Sequence, residues 1–218
     1  MSLQEQISEM QQGILPNIPV ETLAVMQKAT EKLVASNIAD TSLKVGNRMP
    51  DFALPNTRGD RVHIKDLLDK GPVVLSFYRG GWCPHCNLEL RALQQALSEI
   101  ETEGGQLVAI SPETPDRALA TSESHDLGFE VLSDAGNKVA RMFGLEFTLP
   151  EELRPIYAGF GFDIPSYNGD ETFELPMPAT YVVGSDGIIR YAFVNADYTK
   201  RAEPDEVIRA LIRGIESK

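Results

Sequence analysis

A continuous apolar run, a glycine pair and two closely spaced cysteines follow one another near the middle of the sequence. Residues 73–77 are apolar apart from one serine, which is typical of a strand buried on both faces of a sheet. Gly80 and Gly81 indicate a turn, and Pro84 suits the first position of a helix. The stretch therefore predicts a buried strand, a turn and a helix that begins at the cysteines.

From residue 44 onward the sequence alternates between strand-like and helix-like segments. A hairpin is predicted over 51–64, where a polar, glycine-containing link joins two short extended pieces. A second hairpin is predicted over 179–194, where Asp186 and Gly187 form a strong turn signal. Further strands are predicted over 107–111 and 129–132, and helices over 65–70, from the cysteines to about 104, 115–126, 137–143 and 204–217. This alternation predicts an α/β fold with parallel strands.

Residues 1–43 are predicted to form a helical arm that precedes this domain. Apolar residues recur at helical spacing up to Ile14, two prolines interrupt the pattern, and it resumes over 21–35. Two amphipathic helices are therefore expected. Their apolar stripes either pack on the domain, which is the favoured interpretation, or bind a second subunit in a homodimer.

Helical and strand periodicity both fail between residues 145 and 176, inside the domain that spans 44–218. This segment holds six aromatic residues together with several prolines and glycines. Because disordered segments are poor in aromatic residues, we expect an ordered insertion. It either covers the active site or packs a small core of its own.

The chain is acidic, and its net charge of −12 argues against nucleic acid or an anionic membrane as a partner. Both are bound through clustered Lys and Arg. The longest apolar runs are too short to cross a bilayer. The first residues lack a basic cluster followed by an apolar run, so no secretory signal is expected and the cytoplasm is the predicted location.

Cys83 and Cys86 are the only cysteines of the chain. Two cysteines cannot form a disulfide framework for a chain of this size, and such a pair is more often catalytic or metal-binding. At the first turn of a helix, Cys83 meets unpaired N–H groups and the positive end of the helix dipole, which favour the thiolate. Cys86 follows one turn later on the same face, within reach of a disulfide, and is the candidate resolving thiol.

Four side chains near the cysteines have both a functional and a structural interpretation. Arg79 either holds a thiolate or oxyanion or forms a structural ion pair. Trp82 either shields the site and forms a docking surface for a partner or belongs to the core. His85 either favours the thiolate or is exposed without a specific partner. Glu89 could relay a proton, but a solvated carboxylate on the helix is the preferred interpretation.

Zinc is the competing chemistry for the cysteine pair. A closed zinc site needs two ligands besides the cysteines, and only His63, His85, His125 or scattered carboxylates offer them. A second paired motif, which usually accompanies structural zinc, is absent from the sequence. There is also no GxGxxG after a strand and no Walker loop, so no metal and no nucleotide or nicotinamide cofactor is expected.

Residues 77–86, together with 50–52 upstream and 129–134 downstream, resemble the alkyl hydroperoxide reductase and thiol-specific antioxidant family, a peroxiredoxin-like branch of the thioredoxin superfamily. The resemblance covers about residues 44–217. It implies a thioredoxin-like fold, with helices on both faces of a mixed central sheet, and Cys83 as the redox-active thiol.

The superfamily resemblance also implies a cis-proline opposite the cysteines. Pro178 matches that residue, and its cis bond would hold the Met177 backbone beside Cys83 for pairing with a substrate. The alternative is an ordinary trans proline that starts an edge strand. Typical peroxiredoxins surround the reactive cysteine with a proline, a threonine and an arginine, whereas the matching positions here are Ser76, Gly80 and Pro178. The peroxide-activating set is therefore incomplete, and Arg79 or another arginine is the candidate to replace the missing arginine.

The resemblance makes peroxide reduction the leading prediction for function. The substrates would be hydrogen peroxide or organic hydroperoxides, and thioredoxin or a small thiol would supply the electrons. A thiol-disulfide oxidoreductase acting on protein disulfides is the second candidate, because the Cys-Pro-His-Cys sequence is similar to that of bacterial thiol-oxidising thioredoxin relatives. From a different class, the chain could be a redox-inactive or zinc-holding binding module.

Overall fold

The computed structural model describes residues 1–216, with the backbone alone for the last two. Its strands are β1 (Ala53–Pro55), β2 (Arg61–His63), β3 (Val73–Phe77), β4 (Gln106–Ser111), β5 (Glu130–Ser133), β6 (Glu146–Thr148), β7 (Glu174–Pro176), β8 (Ala179–Val183) and β9 (Ile189–Val194). Its α-helices are α1 (Leu3–Ile14), α2 (Val20–Ala35), α3 (Ile64–Leu68), α4 (Pro84–Thr102), α5 (Pro115–Ser124), α6 (Lys138–Met142), α7 (Arg154–Gly159), α8 (Ile164–Asn168) and α9 (Pro204–Glu216). The predicted continuation of the last helix to Ser217 lies outside the described residues.

A mixed five-stranded sheet forms the centre of the molecule, with the strand order β5-β4-β3-β8-β9. β3, β4 and β5 are parallel, and β8 runs antiparallel to both β3 and β9. β3 is therefore the middle strand and is fully buried, as its unbroken apolar run predicts. β1 with β2 and β6 with β7 form two small antiparallel ladders outside this sheet.

Helices cover both faces of the sheet because successive side chains of a strand point in opposite directions. Val74 packs with Leu93 of α4 and Leu211 of α9 on one face. Phe77 packs on the other face against Phe143, with the ring centroids 4.9 Å apart. The predicted α/β architecture, a mixed sheet between two layers of helices, is confirmed.

The two N-terminal helices lie against the domain. Leu3 and Ile7 of α1 are buried with Leu88 and Ala92 of α4. The Glu203 carboxylate accepts hydrogen bonds from the first backbone N–H groups of α1, at 2.8 Å each, and thereby satisfies donors that a helix start leaves unpaired. The arm thus packs on its own domain. The domain boundary at residue 43/44 and a homodimer stay predictions.

The segment 145–176 is ordered, as its aromatic content predicts. Its elements are the β6–β7 ladder, one turn of 3-10 helix and the short helices α7 and α8. In the part of the chain that the structure describes, no helix has both the length and the apolar character that crossing a membrane requires.

Candidate active site

The turn after β3 places the cysteine pair at the start of α4. Gly80 has a φ of +146°, which favours glycine, and a Cβ there would collide with the Trp82 indole. A Cβ on Gly81 would collide with the Thr121 hydroxyl. Cys83 is the N-cap residue of the helix, with its N–H bonded to the Gly80 carbonyl at 3.0 Å. Its side chain therefore lies beside the positive end of the helix dipole.

The two sulfur atoms form a buried, hydrogen-bonded dithiol. The Cys86 thiol donates to Cys83 Sγ at 2.8 Å. Burial opposes ionisation of Cys83, but the hydrogen bond from Cys86 and the positive charge of Arg79 outweigh it and lower the pKa of Cys83. Burial and the neighbouring Cys83 sulfur raise the pKa of Cys86. The favoured state is thus a Cys83 thiolate that accepts a hydrogen bond from a Cys86 thiol.

Arg79 contacts the Cys83 sulfur directly. Its Nη2 donates to Cys83 Sγ at 3.3 Å, and its Nη1 donates to the Tyr157 hydroxyl at 3.2 Å. The guanidinium also lies 4.3 Å from the centre of the Tyr198 ring and 5.0 Å from that of Trp82. Only 3% of Arg79 is exposed, so its charge acts on the thiolate rather than on a surface partner.

A second arginine, which the sequence analysis does not single out, contacts the other sulfur. Arg201 Nη2 donates to Cys86 Sγ at 3.4 Å, and its Nε lies 2.7 Å from Glu89 Oε2. Thr180 donates to the other oxygen of this carboxylate at 3.1 Å. Both members of the ion pair are almost fully buried. Arg201 follows Cys86 by 115 residues and lies in a loop, so no local pattern announces it.

The interpretation of Glu89 as a solvated carboxylate is wrong. It is 2% exposed, because it lies three residues after Cys86 on the face of α4 that points into the core. Burial raises its pKa, and Arg201 and Thr180 oppose that shift. The i, i+3 spacing from Cys86 is the signal that could have placed it beside the sulfur atoms.

Trp82 lies under the aromatic insertion. Its ring centroid is 5.7 Å from that of Tyr157 and 5.5 Å from that of Phe162. Only 5% of Trp82 is exposed, so it separates the cysteine turn from solvent and offers little surface to a protein partner. These contacts are those expected if the segment 145–176 covers the site, and the Tyr157–Phe162 and Phe160–Phe162 contacts are those expected if it packs a small core of its own.

His85 is half-buried and has specific neighbours. Its Nε2 lies 3.4 Å from Gln11 Nε2 of the arm, and its ring meets the Tyr198 ring edge-on, 5.3 Å between centroids. A hydrogen bond from His85 is one of the smaller influences that lower the pKa of Cys83, after those of Cys86 and Arg79. These contacts join the arm, the cysteine turn and the loop after β9 at one place.

The expectation of a cis-proline at position 178 is wrong. The described backbone contains no cis peptide bond, and trans is the form that most X–Pro bonds adopt. The Met177 N–H is bonded to the Leu145 carbonyl at 2.8 Å, so it is not free to pair with a substrate backbone. Met177 and Pro178 line a cavity of about 20 Å³, which Arg79 also borders.

A buried carboxylate, for which the described residues offer hydrogen-bond donors but no basic side chain, holds the cysteine turn in place. Glu113 accepts hydrogen bonds from the Gly81 N–H at 2.9 Å and from the Tyr78 hydroxyl at 3.0 Å. The Ser111 and Thr121 hydroxyls also donate to it. Burial raises its pKa, and the hydrogen bonds oppose this shift. Sequence reasoning missed this residue because its partners lie on three separate segments.

Within residues 1–216, no group of three or more His, Cys, Asp or Glu side chains has the arrangement of a metal site. Among the residues proposed as zinc ligands, His63 ends β2 and His125 follows α5. The charged groups that contact the two sulfurs are guanidiniums, and these repel a divalent cation.

Residues 45–192, more than half of the chain, match the model of the AhpC/TSA family. The chain belongs to this family. A chloroplastic peroxiredoxin Q of Triticum aestivum is 25% identical over 177 residues, which are 81% of this chain and 71% of that protein. A putative peroxiredoxin bcp of Haemophilus influenzae is 33% identical over 103 residues, which are 47% of this chain and 66% of that protein.

Solved structures of peroxiredoxins share the fold. Peroxidoxin BcpB from Mycobacterium tuberculosis matches with a TM-score of 0.61 and 23% identity, over 78% of this chain and 96% of that chain. Reduced 2-Cys peroxiredoxin of Plasmodium vivax matches with a TM-score of 0.62 and 19% identity, over 80% of this chain and 84% of that chain. The predicted thioredoxin-like fold and the family resemblance are confirmed.

The three positions at which this AhpC/TSA chain departs from typical peroxiredoxins lie around the same turn. Ser76 is fully buried in β3, and no described residue hydrogen-bonds its hydroxyl. Gly80 offers no side chain, and Pro178 offers no charge. The charge at the sulfurs comes from Arg79 and Arg201 instead.

Proposed function

We propose that this protein reduces peroxides with Cys83 as the attacking thiolate and Cys86 as the resolving thiol. The observation that carries the proposal is the buried dithiol, in which Arg79 contacts one sulfur and Arg201 the other. As a member of the AhpC/TSA family whose relatives are peroxiredoxins, the chain is a thiol-dependent peroxidase. The roles of the individual residues are the proposal.

The chemistry starts with attack of the Cys83 thiolate on the terminal oxygen of a hydroperoxide. A sulfur–oxygen bond forms, the oxygen–oxygen bond breaks, and the alkoxide leaves and takes up a proton to become an alcohol. Arg79 stabilises the thiolate and the negative charge that develops on the peroxide oxygens. Cys83 has then lost two electrons and is a sulfenic acid.

The sulfenic acid is resolved within the same turn of helix. The Cys86 sulfur attacks the Cys83 sulfur, a disulfide forms, and the hydroxyl leaves as water with the thiol proton. Arg201 favours the Cys86 thiolate that this step needs, and Glu89 balances the arginine charge. A dithiol donor then reduces the disulfide back to two thiols.

The donor, location and assembly form the finer part of the proposal. A thioredoxin-type dithiol or a small thiol restores the pair, in a reducing compartment such as the cytoplasm, where thiols are kept reduced. A homodimer is compatible with the exposed apolar residues of α2, which include Val20 and Val34. Arginines at both sulfurs favour this redox cycle over a zinc-holding module.

Protein disulfide exchange is the second candidate, since a CxxC pair at a helix start serves it as well. The engaged Met177 N–H disfavours it, because this group is not free to pair with the backbone of a protein substrate beside the attacking sulfur.

Parallel assays of peroxide consumption and of protein-disulfide reduction test the proposal. With a dithiol donor, wild-type protein is expected to consume hydroperoxide, and Cys83→Ser to abolish turnover. In the absence of the donor, Cys86→Ser, the matched variant one turn away, is expected to react once and to accumulate a sulfenic acid that a dimedone probe labels. Rapid disulfide reduction without peroxide turnover would move the assignment to the second candidate.

A further inference from the structure

A large apolar cavity lies between the N-terminal arm and the cysteine turn. Its volume is about 420 Å³, within the range of small-molecule sites. Met10 and Ile14 of α1 and Met26 of α2 form one wall, and Trp82 and Phe160 form part of the other. The peroxide proposal does not use this space. Hydrogen peroxide has two heavy atoms and fills only a small part of a cavity of this size.

One side chain, that of Arg79, links the cavity to the reacting sulfur. Arg79 lines the cavity, and its guanidinium donates to Cys83 Sγ. His85 and Tyr198, which contact each other, line it as well. These polar groups lie next to the cysteines, and the arm supplies mainly apolar side chains, together with Gln11 and Asn17.

Three of the apolar residues that line the cavity are also exposed to solvent. Ile14, Leu15 and Phe160 are 43%, 42% and 38% exposed. Apolar side chains left exposed together at a concave surface mark a ligand site more often than a plain surface.

We propose that the arm builds the binding site for the organic group of the substrate, and that Met10, Ile14 and Met26 determine specificity for hydroperoxides with a bulky apolar group. The hydroperoxide end lies toward Arg79 and His85, and the apolar group lies between the arm and the aromatic insertion. This inference rests on the proposed peroxidase function and assigns the substrate selectivity to residues outside the family-matched range 45–192.

The kinetic test compares hydrogen peroxide with cumene hydroperoxide on two arm variants. Ile14→Trp fills the cavity and is expected to lower kcat/KM for cumene hydroperoxide about tenfold, with a much smaller loss for hydrogen peroxide. Val34→Trp adds the same side chain at a similarly exposed aliphatic position, 46% against 43%, away from the cavity. It is expected to change neither value. An equal loss for both peroxides in Ile14→Trp, or no loss for either, would overturn the proposal.

A binding measurement tests the same site without peroxide turnover. Trp82 is the only tryptophan of the chain and lines the cavity, so its fluorescence reports a ligand there. The unreactive alcohol 2-phenylpropan-2-ol, titrated into wild-type protein, is expected to cause a saturable change, and methanol to cause none. If no peroxide is consumed but the alcohol causes a saturable fluorescence change, the peroxidase function fails and the apolar site stands. If peroxide is consumed but the alcohol gives no saturable change, the site proposal fails alone.

Discussion

Two buried arginines give the two cysteine sulfurs different environments. Arg79 donates to Cys83, whose thiolate also accepts from the neighbouring thiol. Arg201 contacts Cys86, but its charge is shared with Glu89, 2.7 Å away. The unshared charge therefore lies on the side of Cys83. This asymmetry supports our proposal that Cys83 is the nucleophile, although both sulfurs are equally buried.

Replacement of Arg79 by methionine is expected to raise the pKa of Cys83. The change removes a cation that lowers this pKa and leaves burial, which raises it, less opposed. Since the thiolate is the reactive form, alkylation by iodoacetamide should slow at pH values below the pKa of Cys83, by up to about tenfold for each pKa unit gained, and should change little at pH values well above it. The pH profile of the alkylation rate in a Cys86→Ser background measures this. Arg79→Lys, which keeps a charge, should give a Cys83 pKa between those of the wild-type and Arg79→Met proteins. An unchanged pH profile in Arg79→Met would contradict the role of Arg79 in lowering this pKa.

The Glu89–Arg201 pair is expected to show strong coupling in unfolding experiments. Removal of either partner leaves a buried charge unpaired and should lower the free energy of unfolding by about 3–5 kcal/mol. The double variant Glu89→Leu with Arg201→Met should cost clearly less than the sum of the two single changes. Urea unfolding of the dithiol form measures all four proteins.

The exposed pair Arg58–Asp60, with side chains 64% and 70% exposed, is the matched control. Its double-mutant cycle should give a coupling near zero, because solvent screens such pairs. Additive costs at Glu89 and Arg201 would mean that the buried pair contributes no more than a surface pair.

Residues close to the cysteines in sequence could be recognised, and those close only in space could not. Cys83, Cys86 and Arg79 lie within eight residues. Helix geometry places the two sulfurs together, and Arg79 lies in the turn directly before the helix. Arg201 and Glu113 reach the site through the sheet topology, which no local pattern encodes. The cis form of Pro178 was inferred from the wider superfamily, and the backbone here adopts the trans form.

At the scale of elements, prediction succeeded where an element is long enough to show its period. α4 begins at Pro84 and β3 spans the apolar run, as expected. The segment 145–176 contains strands of three residues and helices of five and six, which are too short to repeat a pattern even twice. Only its aromatic content indicated that it is ordered.

The arm should detach from the domain when its main contact is truncated. Ile7 is fully buried against α4, and Ile7→Ala is expected to cost about 2–5 kcal/mol of local stability. Hydrogen exchange of the α1 amides should then accelerate, whereas exchange in β3 and β4 should not change. Glu9→Ala, an exposed change on the same helix, should leave both unchanged. Faster exchange throughout the sheet would mean that the arm and the domain unfold as one unit.

At the scale of the whole molecule, the redox state changes the charge of the core. With a Cys83 thiolate, the charged groups that contact the sulfurs and their arginines are the two guanidiniums, Glu89 and the thiolate itself, and these four charges balance. A disulfide removes the thiolate and leaves Arg79 without an anionic partner at the site. The new cross-link closes a very short loop and adds only about 2 kcal/mol, whereas a buried unpaired charge costs about 3–5 kcal/mol.

The dithiol form is therefore expected to be more stable than the disulfide form by roughly 1–3 kcal/mol near pH 8. Because the folded-state pKa of Cys83 is lowered, the stability from its ionisation is full above the pKa of the unfolded chain and is lost as the pH falls through the lowered value. The extra stability of the dithiol form should thus shrink as the pH falls below 8. Urea unfolding of both forms at pH 8 and at lower pH values measures this change. Arg79→Met removes the unpaired charge and should reduce the difference in unfolding free energy between the two forms or reverse its sign. If the disulfide form of the wild-type protein is more stable at every pH, Arg79 finds another partner after oxidation.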